Sequence, residues 1–174
     1  MRLFIAINLN NATKNSLIDL RDELKLSSTH GNFTLRENLH ITLAFLDECD
    51  IKKAAAAKSA MDFVCFEPFD IRIERIGRFG GGQGESTWWA GVGVPEALSG
   101  LYNDLTDRLS AAGFLLDSRR FSPHITLGRR VVTDAAPRRI DPFGETVRKI
   151  DLMKSERIGG KLTYTAIYHK LSIK

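Results

Sequence analysis

Two stretches, Leu39-His40-Ile41-Thr42-Leu43 and Pro123-His124-Ile125-Thr126-Leu127, carry the same tetrapeptide, His-Ile-Thr-Leu, in widely separated parts of the chain. The chain holds four histidines, and two of them belong to this repeat. Each copy is apolar and β-branched enough to read as a strand, on which successive side chains alternate between faces. His and Thr then share one face, while Ile and Leu share the other, where apolar packing holds the strand in place. If the two strands meet in a pseudo-symmetric sheet arrangement, two imidazoles and two hydroxyls face one small anion, and that geometry fits a phosphate.

An ordinary imidazole titrates near pH ~6.5, so at neutral pH one ring can accept a proton while the other donates one. Hydrolysis of a cyclic phosphate needs that pair: a base for the attacking water and an acid for the departing ribose oxygen. Threonine hydroxyls can donate to the non-bridging oxygens without titrating themselves. The spacing leaves open which histidine is acid and which is base. Strand packing alone needs no histidine twice, and a zinc site wants three or four ligands where neither copy brings a second His or Cys at ligand spacing. We therefore expect no metal.

Outward from the repeat, Leu3 to Ile7 reads as a buried strand, and Leu17, Leu20 and Leu24 mark a helix over about 14–25 with Thr13 as its N-cap. Leu39 to Leu46 is a strand, and Asp50 caps an alanine-rich helix over 51–64. Phe69 to Glu74 alternates, and Thr87 to Val94 is a second apolar run. The intervening Gly80-Gly81-Gly82-Gln83-Gly84 reads as the flexible turn of a hairpin, because it lacks the Lys-Ser/Thr of a phosphate-binding loop and no helix follows it. Leu98, Leu101, Leu105 and Leu109 mark a helix over 95–112 that stops at Gly113. Further strands are expected over 122–127, 150–155 and 162–172. This order of elements favours an α+β fold with helices on the outer faces of the sheets.

At 174 residues, with 43% hydrophobic and 26% charged residues, the composition is that of one soluble globular domain spanning 1–174. The net charge of +4, from 25 Lys plus Arg against 21 Asp plus Glu, suits an anionic ligand. The apolar run at the N-terminus is too short for a secretory segment and nothing later approaches a membrane span, so a cytoplasmic monomer without a membrane partner is expected. Cys49 and Cys65 lack metal-ribbon or disulfide-framework spacing and should stay reduced.

These residues resemble the two-histidine (2H) phosphoesterase superfamily, and within it the chain looks like the RNA 2′,3′-cyclic phosphodiesterase family, also named 2′-5′ RNA ligase. The resemblance spans nearly the whole chain. It includes Leu3-Phe4-Ile5-Ala6-Ile7, Glu37-Asn38-Leu39, Phe45-Leu46, Arg78-Phe79, Trp88-Trp89-Ala90-Gly91-Val92, Phe121-Ser122-Pro123, Leu127-Gly128-Arg129 and a region near Tyr164. It implies a bilobal, pseudo-symmetric fold in which two mainly antiparallel sheets line a central cleft. It also implies hydrolysis without a cofactor to a 2′-phosphomonoester, with His40 as proton donor and His124 as acceptor. The chain departs from the pattern at Asp47, where a glycine usually follows Phe-Leu, and at Arg36 before the first motif.

Thr42 and Thr126 are the expected phosphate donors, joined by Arg129 and Arg130 directly after the second motif. Strict alternation places Arg130 on the histidine face and Arg129 on the other, unless a bulge at Gly128 resets the count; the resemblance favours Arg129. Phe79, Trp88, Trp89 and Phe121 are candidates to stack on a base, while His30 and His169 read as incidental surface residues. RNA ends or cyclic nucleotides are the expected substrates. Two other readings use the same residues: a 2′-5′ RNA ligase running the reaction in reverse, and a non-catalytic binder of RNA ends or nucleotides.

Overall fold

The computed structural model describes residues 1–80 and 84–174. In chain order the elements are β1 (Arg2–Asn8), α1 (Asn11–Leu26), β2 (Ser28–Phe33), a 3-10 turn (Arg36–Asn38), β3 (His40–Glu48), α2 (Ile51–Asp62), β4 (Phe69–Phe79), β5 (Ser86–Val92), α3 (Glu96–Ala111), β6 (His124–Thr133), β7 (Arg138–Val147), β8 (Lys149–Ile158) and β9 (Lys161–Leu171). They form two antiparallel sheets, one of four strands in the order β3-β1-β8-β9 and one of five in the order β2-β6-β5-β4-β7. The expected α+β fold with two mainly antiparallel sheets is what the chain adopts, and each copy of the repeat lies in a different sheet.

The apolar half of each repeat behaves as a strand ruler. Ile41, Leu43, Ile125 and Leu127 are buried in one continuous core, which also takes Leu3, Ile5 and Ile7 of β1. The helices enter that same core through Leu17 and Leu24 of α1, Ala57 and Met61 of α2, and Leu98, Leu101, Leu105 and Leu109 of α3. They therefore cover the sheet faces opposite the histidines. Phe4 and Ala6 alternate with Leu3, Ile5 and Ile7 along β1. On the histidine side they build a second small apolar cluster with Met153 and Tyr164.

Three sequence expectations need correction. The α1 helix begins earlier than expected: Asn10, not Thr13, is its cap, and its side-chain oxygen accepts from the Thr13 backbone N–H at 2.8 Å. Asparagine serves turns and caps through the same local hydrogen bond, so Asn10 can start the helix ahead of the first leucine of its stripe. The strands β2 and β7 were not anticipated. They are the two edges of the five-stranded sheet; β2 is mostly polar and β7 carries Pro142 and Gly144, so neither has the apolar alternation that marks a strand buried on one face. The Asp50 cap of α2 forms as expected, accepting from Lys53 N at 2.7 Å. The β4–β5 hairpin also forms, although Gly81, Gly82 and Gln83 of its glycine-rich turn lie outside the described residues.

Asp47 has φ of 55°, a left-handed conformation that aspartate tolerates and glycine adopts freely. That conformation explains why a glycine suits this position. Asp47→Gly should therefore stabilise the fold by about 1 kcal/mol, raising the thermal midpoint by roughly 2–4 °C, whereas Asp47→Val should lower it. Differential scanning calorimetry of the two variants checks both signs.

Candidate active site

The last residue of β1, Asn8, pairs with His40 at the start of β3, and Ala6 and Phe4 pair with Thr42 and Phe45. Cross-strand partners share a face, so His40, Thr42 and Phe45 lie on the side of the small Phe4 cluster. In the other sheet Gly91 pairs with His124 and Trp89 with Thr126. β3 and β6 contact one another where the sheets meet, which brings the two histidine-bearing strands together.

Both imidazoles are held in the same way. His40 Nδ1 lies 2.7 Å from the Asn38 carbonyl and His124 Nδ1 lies 2.8 Å from the Ser122 carbonyl. A carbonyl only accepts, so each Nδ1 carries the hydrogen and each Nε2 is left for chemistry. His40 Nε2 lies 3.0 Å from Thr42 Oγ1, and when this nitrogen is neutral the hydroxyl donates to it.

The ring planes are fixed by aromatic brackets. Tyr164 meets His40 edge-on at 5.3 Å and 86°, and Phe79 meets His124 at 5.0 Å and 87°. A second aromatic tilts against each, Phe4 at 5.0 Å from His40 and Trp89 at 6.3 Å from His124. Trp89 can lie there because Gly77 leaves room; a Cβ on Gly77 would come within 2.3 Å of the indole. The Arg75 guanidinium covers the indole at 5.4 Å.

Burial strips water from both rings and disfavours their charged forms. It lowers the His40 pKa to about 4 from an ordinary 6.5; the Asn38 carbonyl opposes the shift, and the charges of Arg129, His124 and Lys14 add to it. His124 is lowered as well, first by burial, against the Ser122 carbonyl and with the help of Arg129. The charge of one guanidinium, Arg129, thus lowers the proton affinity of both imidazoles.

Arg129 reaches this position through a bulge. The β5–β6 register shifts after Trp89–Thr126, so that Trp88 pairs with Gly128 and Leu127 is the extra residue. Leu127 and Gly128 are both buried, and Arg129 returns to the face of His124 and Thr126. A second shift follows at Arg130, which sits at φ 54° and carries its guanidinium to Glu85, 2.9 Å away. The expectation from strict alternation that Arg130 shares the histidine face is corrected here. Thr42 and His124 line one cleft, His40 adjoins Thr42, Thr126 lies two residues from His124 on β6, and the Arg129 charge acts on both imidazoles, whereas Arg130 sits in an exposed ion pair.

A cleft of about 270 Å³ opens from this centre, lined among others by Thr42, Phe45, Phe79, Tyr102, Phe121 and His124. Of the aromatic residues singled out from sequence, Trp88 is in the core at 1% exposure, and Phe79 and Trp89 are engaged with His124. Phe121 lines the cleft and stacks on Tyr102 with centroids 3.9 Å apart and planes at 9°. Lys14, Asn38, Phe45 and Tyr164 were missed as site residues. A longer comparison of the repeat, His-Ile-Thr-Leu-Ala-Phe against His-Ile-Thr-Leu-Gly-Arg, would have pointed to Phe45. Among the described residues no group of three or more His, Cys, Asp or Glu is arranged to hold a metal ion, and no helix is long and apolar enough to cross a membrane.

The profile of the 2′-5′ RNA ligase superfamily matches residues 14–158. The chain is 34% identical over 130 residues to the RNA 2′,3′-cyclic phosphodiesterase of Archaeoglobus fulgidus, a match covering 74% of this chain and 72% of that protein. It is 32% identical over 136 residues to a protein of the same name from Geobacillus stearothermophilus, covering 73% of this chain but 41% of that longer relative. Among solved structures, E. coli LigT complexed with 3′-AMP is similar in fold, with a TM-score of 0.79 over 99% of this chain and 98% of that one at 24% identity.

Proposed function

The chain belongs to the 2′-5′ RNA ligase superfamily, and from that premise we propose that it is an RNA 2′,3′-cyclic phosphodiesterase that works without a metal and leaves a 2′-phosphomonoester. The observation that carries this reading is the convergence of two His-x-Thr pairs and one arginine, with the charge of Arg129 felt by both imidazoles. In the proposed reaction a water oxygen forms a bond to phosphorus as the bond to the ribose 3′ oxygen breaks. His124 Nε2 takes the proton of the water, and His40 Nε2–H gives a proton to the departing 3′ oxygen. The Thr42 and Thr126 hydroxyls and the Arg129 guanidinium hold the negative charge of the equatorial oxygens.

The free protein holds His40 neutral at pH 7, so the acid must gain its proton when substrate enters. An anionic phosphate supplies the missing countercharge in a pocket shielded from water, where its field is strongest. Once protonated, Nε2 no longer accepts from Thr42, and that hydroxyl is free to donate to phosphate.

This sets a pH dependence. Protonation of the free protein increases as pH falls, so kcat/KM should rise from pH 8 to below the ordinary imidazole value of 6.5. Its alkaline limb should fall about tenfold per pH unit. The alkaline limb of kcat should lie at higher pH, because bound phosphate raises the His40 pKa. Coincident limbs, or a kcat/KM limb above 6.5, would contradict the proton uptake. The reaction itself is tested by treating the protein with a chelator and analysing the product formed from a 2′,3′-cyclic nucleotide. A 2′-phosphate is expected; a 3′-phosphate, or loss of turnover on chelation, would refute the proposal.

A further inference from the structure

One row across the five-stranded sheet runs His124, Gly91, Arg75, Arg139. His124 on β6 pairs with Gly91 on β5, Gly91 pairs on its other side with Arg75 on β4, and Arg75 pairs with Arg139 on the edge strand β7. The next row points the other way, since Ile125, Ala90 and Ile76 are all buried in the core. Arg138, the partner of Ile76, follows it to that side and meets Glu23 of α1 at 2.9 Å. Cross-strand partners share a face, so Arg75 and Arg139 lie on the face of His124.

Packing gives no reason for charge at these two positions. Both arginines are exposed, and among the described residues no carboxylate lies within 4.0 Å of either guanidinium, whereas Arg130 and Arg138 each have one. Like charges directly opposite one another on neighbouring strands destabilise a sheet. A charge on an edge strand guards against stray pairing, but that role does not require it to stand opposite a second arginine. Space is also cleared for Arg75. A Cβ on Gly91 would come within 2.6 Å of its Nε and 2.8 Å of its Cγ, so the side chain lies across Gly91 in the direction of His124. The Trp89 indole supports the guanidinium at 5.4 Å and fixes its place while its N–H groups can donate to an anion. The strand β4 is two strand spacings, roughly 10 Å, from β6, and Arg75 spans part of that gap.

We propose that Arg75 and Arg139 form a second anion subsite, which binds the 5′ phosphate of the terminal nucleotide, the diester that joins it to the rest of an RNA chain. The inference rests on the phosphate-site reading above. With the cyclic phosphate on His40, His124 and Arg129, an anion held by Arg75 lies farther along the same row and offsets the repulsion between the two arginines. The contact is to backbone phosphate, so it carries no base preference. It makes the protein favour chain ends over free cyclic nucleotides.

Adenosine 2′-monophosphate and adenosine 2′,5′-bisphosphate differ only in that 5′ phosphate, and titration calorimetry with the two isolates the subsite from turnover. At low salt the wild type should bind the bisphosphate about tenfold more tightly, the scale of charge-assisted hydrogen bonds to one phosphate. Arg75→Ala and Arg139→Ala should each shrink that advantage about threefold, as befits exposed charges, and the double variant should lose it. Arg139→Lys should keep most of it, because a point charge also serves a phosphate. Removing both arginines should also lower the slope of log affinity against log salt for the bisphosphate by about 0.7, the value for one phosphate contact on a single strand. No advantage in the wild type, or an advantage that survives in the double variant, would overturn the subsite. Equal weakening of both ligands would overturn it too, by making Arg75 a support for Trp89 and His124 alone. An advantage that depends on both arginines, in a protein that opens no cyclic nucleotide, would support the subsite and refute the catalytic reading.

Discussion

Replacing His124 with alanine should lower kcat on a 2′,3′-cyclic nucleotide by about 10³-fold, and His40→Ala should do the same, within the 10²–10⁴ range that a positioned acid or base contributes. The two effects arise from different steps, since one variant leaves water without a base and the other leaves the ribose oxygen without an acid. They should not multiply in the double variant, because once one proton transfer is lost the other histidine has little left to assist. The remaining rate then comes from Thr42, Thr126 and Arg129 holding the phosphate. His124 is the cleaner site for this test. Among the described residues its ring hydrogen-bonds the Ser122 carbonyl and meets Phe79 and Trp89, whereas His40 is more deeply enclosed and also engages Thr42. Circular dichroism melts of both variants, run beside the kinetics, separate lost chemistry from lost structure. Turnover near the wild-type rate in both would end the acid-base proposal.

Arg129→Ala should cost about 10²–10³-fold in kcat/KM, the scale of removing one preorganised donor from a site where charge develops. Arg129→Lys should recover only part, because an ammonium restores the charge without the planar fork that matches phosphate. A second signature follows from the electrostatics. The Arg129 charge lowers the pKa of both His40 and His124, so its removal should move the alkaline limb of kcat/KM to higher pH. A purely structural role for Arg129 would not produce that shift. The neighbouring substitution Arg130→Ala breaks an exposed, solvent-screened pair with Glu85 and should leave kcat/KM close to wild type. Equal losses in the two variants would mean that the bulge after Leu127 does not sort the two arginines as described.

Much of the fold was legible because it is written in local periodicity. The leucine stripe of α3, the alanine run of α2 behind Asp50, and the apolar β1 each declare themselves within a few residues. The edge strands β2 and β7 did not, since a strand with little apolar surface to bury has no pattern to show, and pairing with β6 and β4 is what makes them strands. At the site, His40, Thr42, His124 and Thr126 were readable because alternation along a strand is a property of the chain itself.

What the amino-acid order determined alone is therefore the two His-x-Thr pairs of the proposed catalytic centre and the strands that carry them. Only the tertiary structure decided which arginine joins that centre, that Phe45 faces the cleft, and that His40 is held neutral. A bulge depends on the register a strand finds against its neighbour, so Leu43 and Leu127 reset the alternation in a way their own residues do not announce. The proton affinity of His40 depends on water excluded and charges brought close by residues distant in the chain, Arg129 and Lys14 among them.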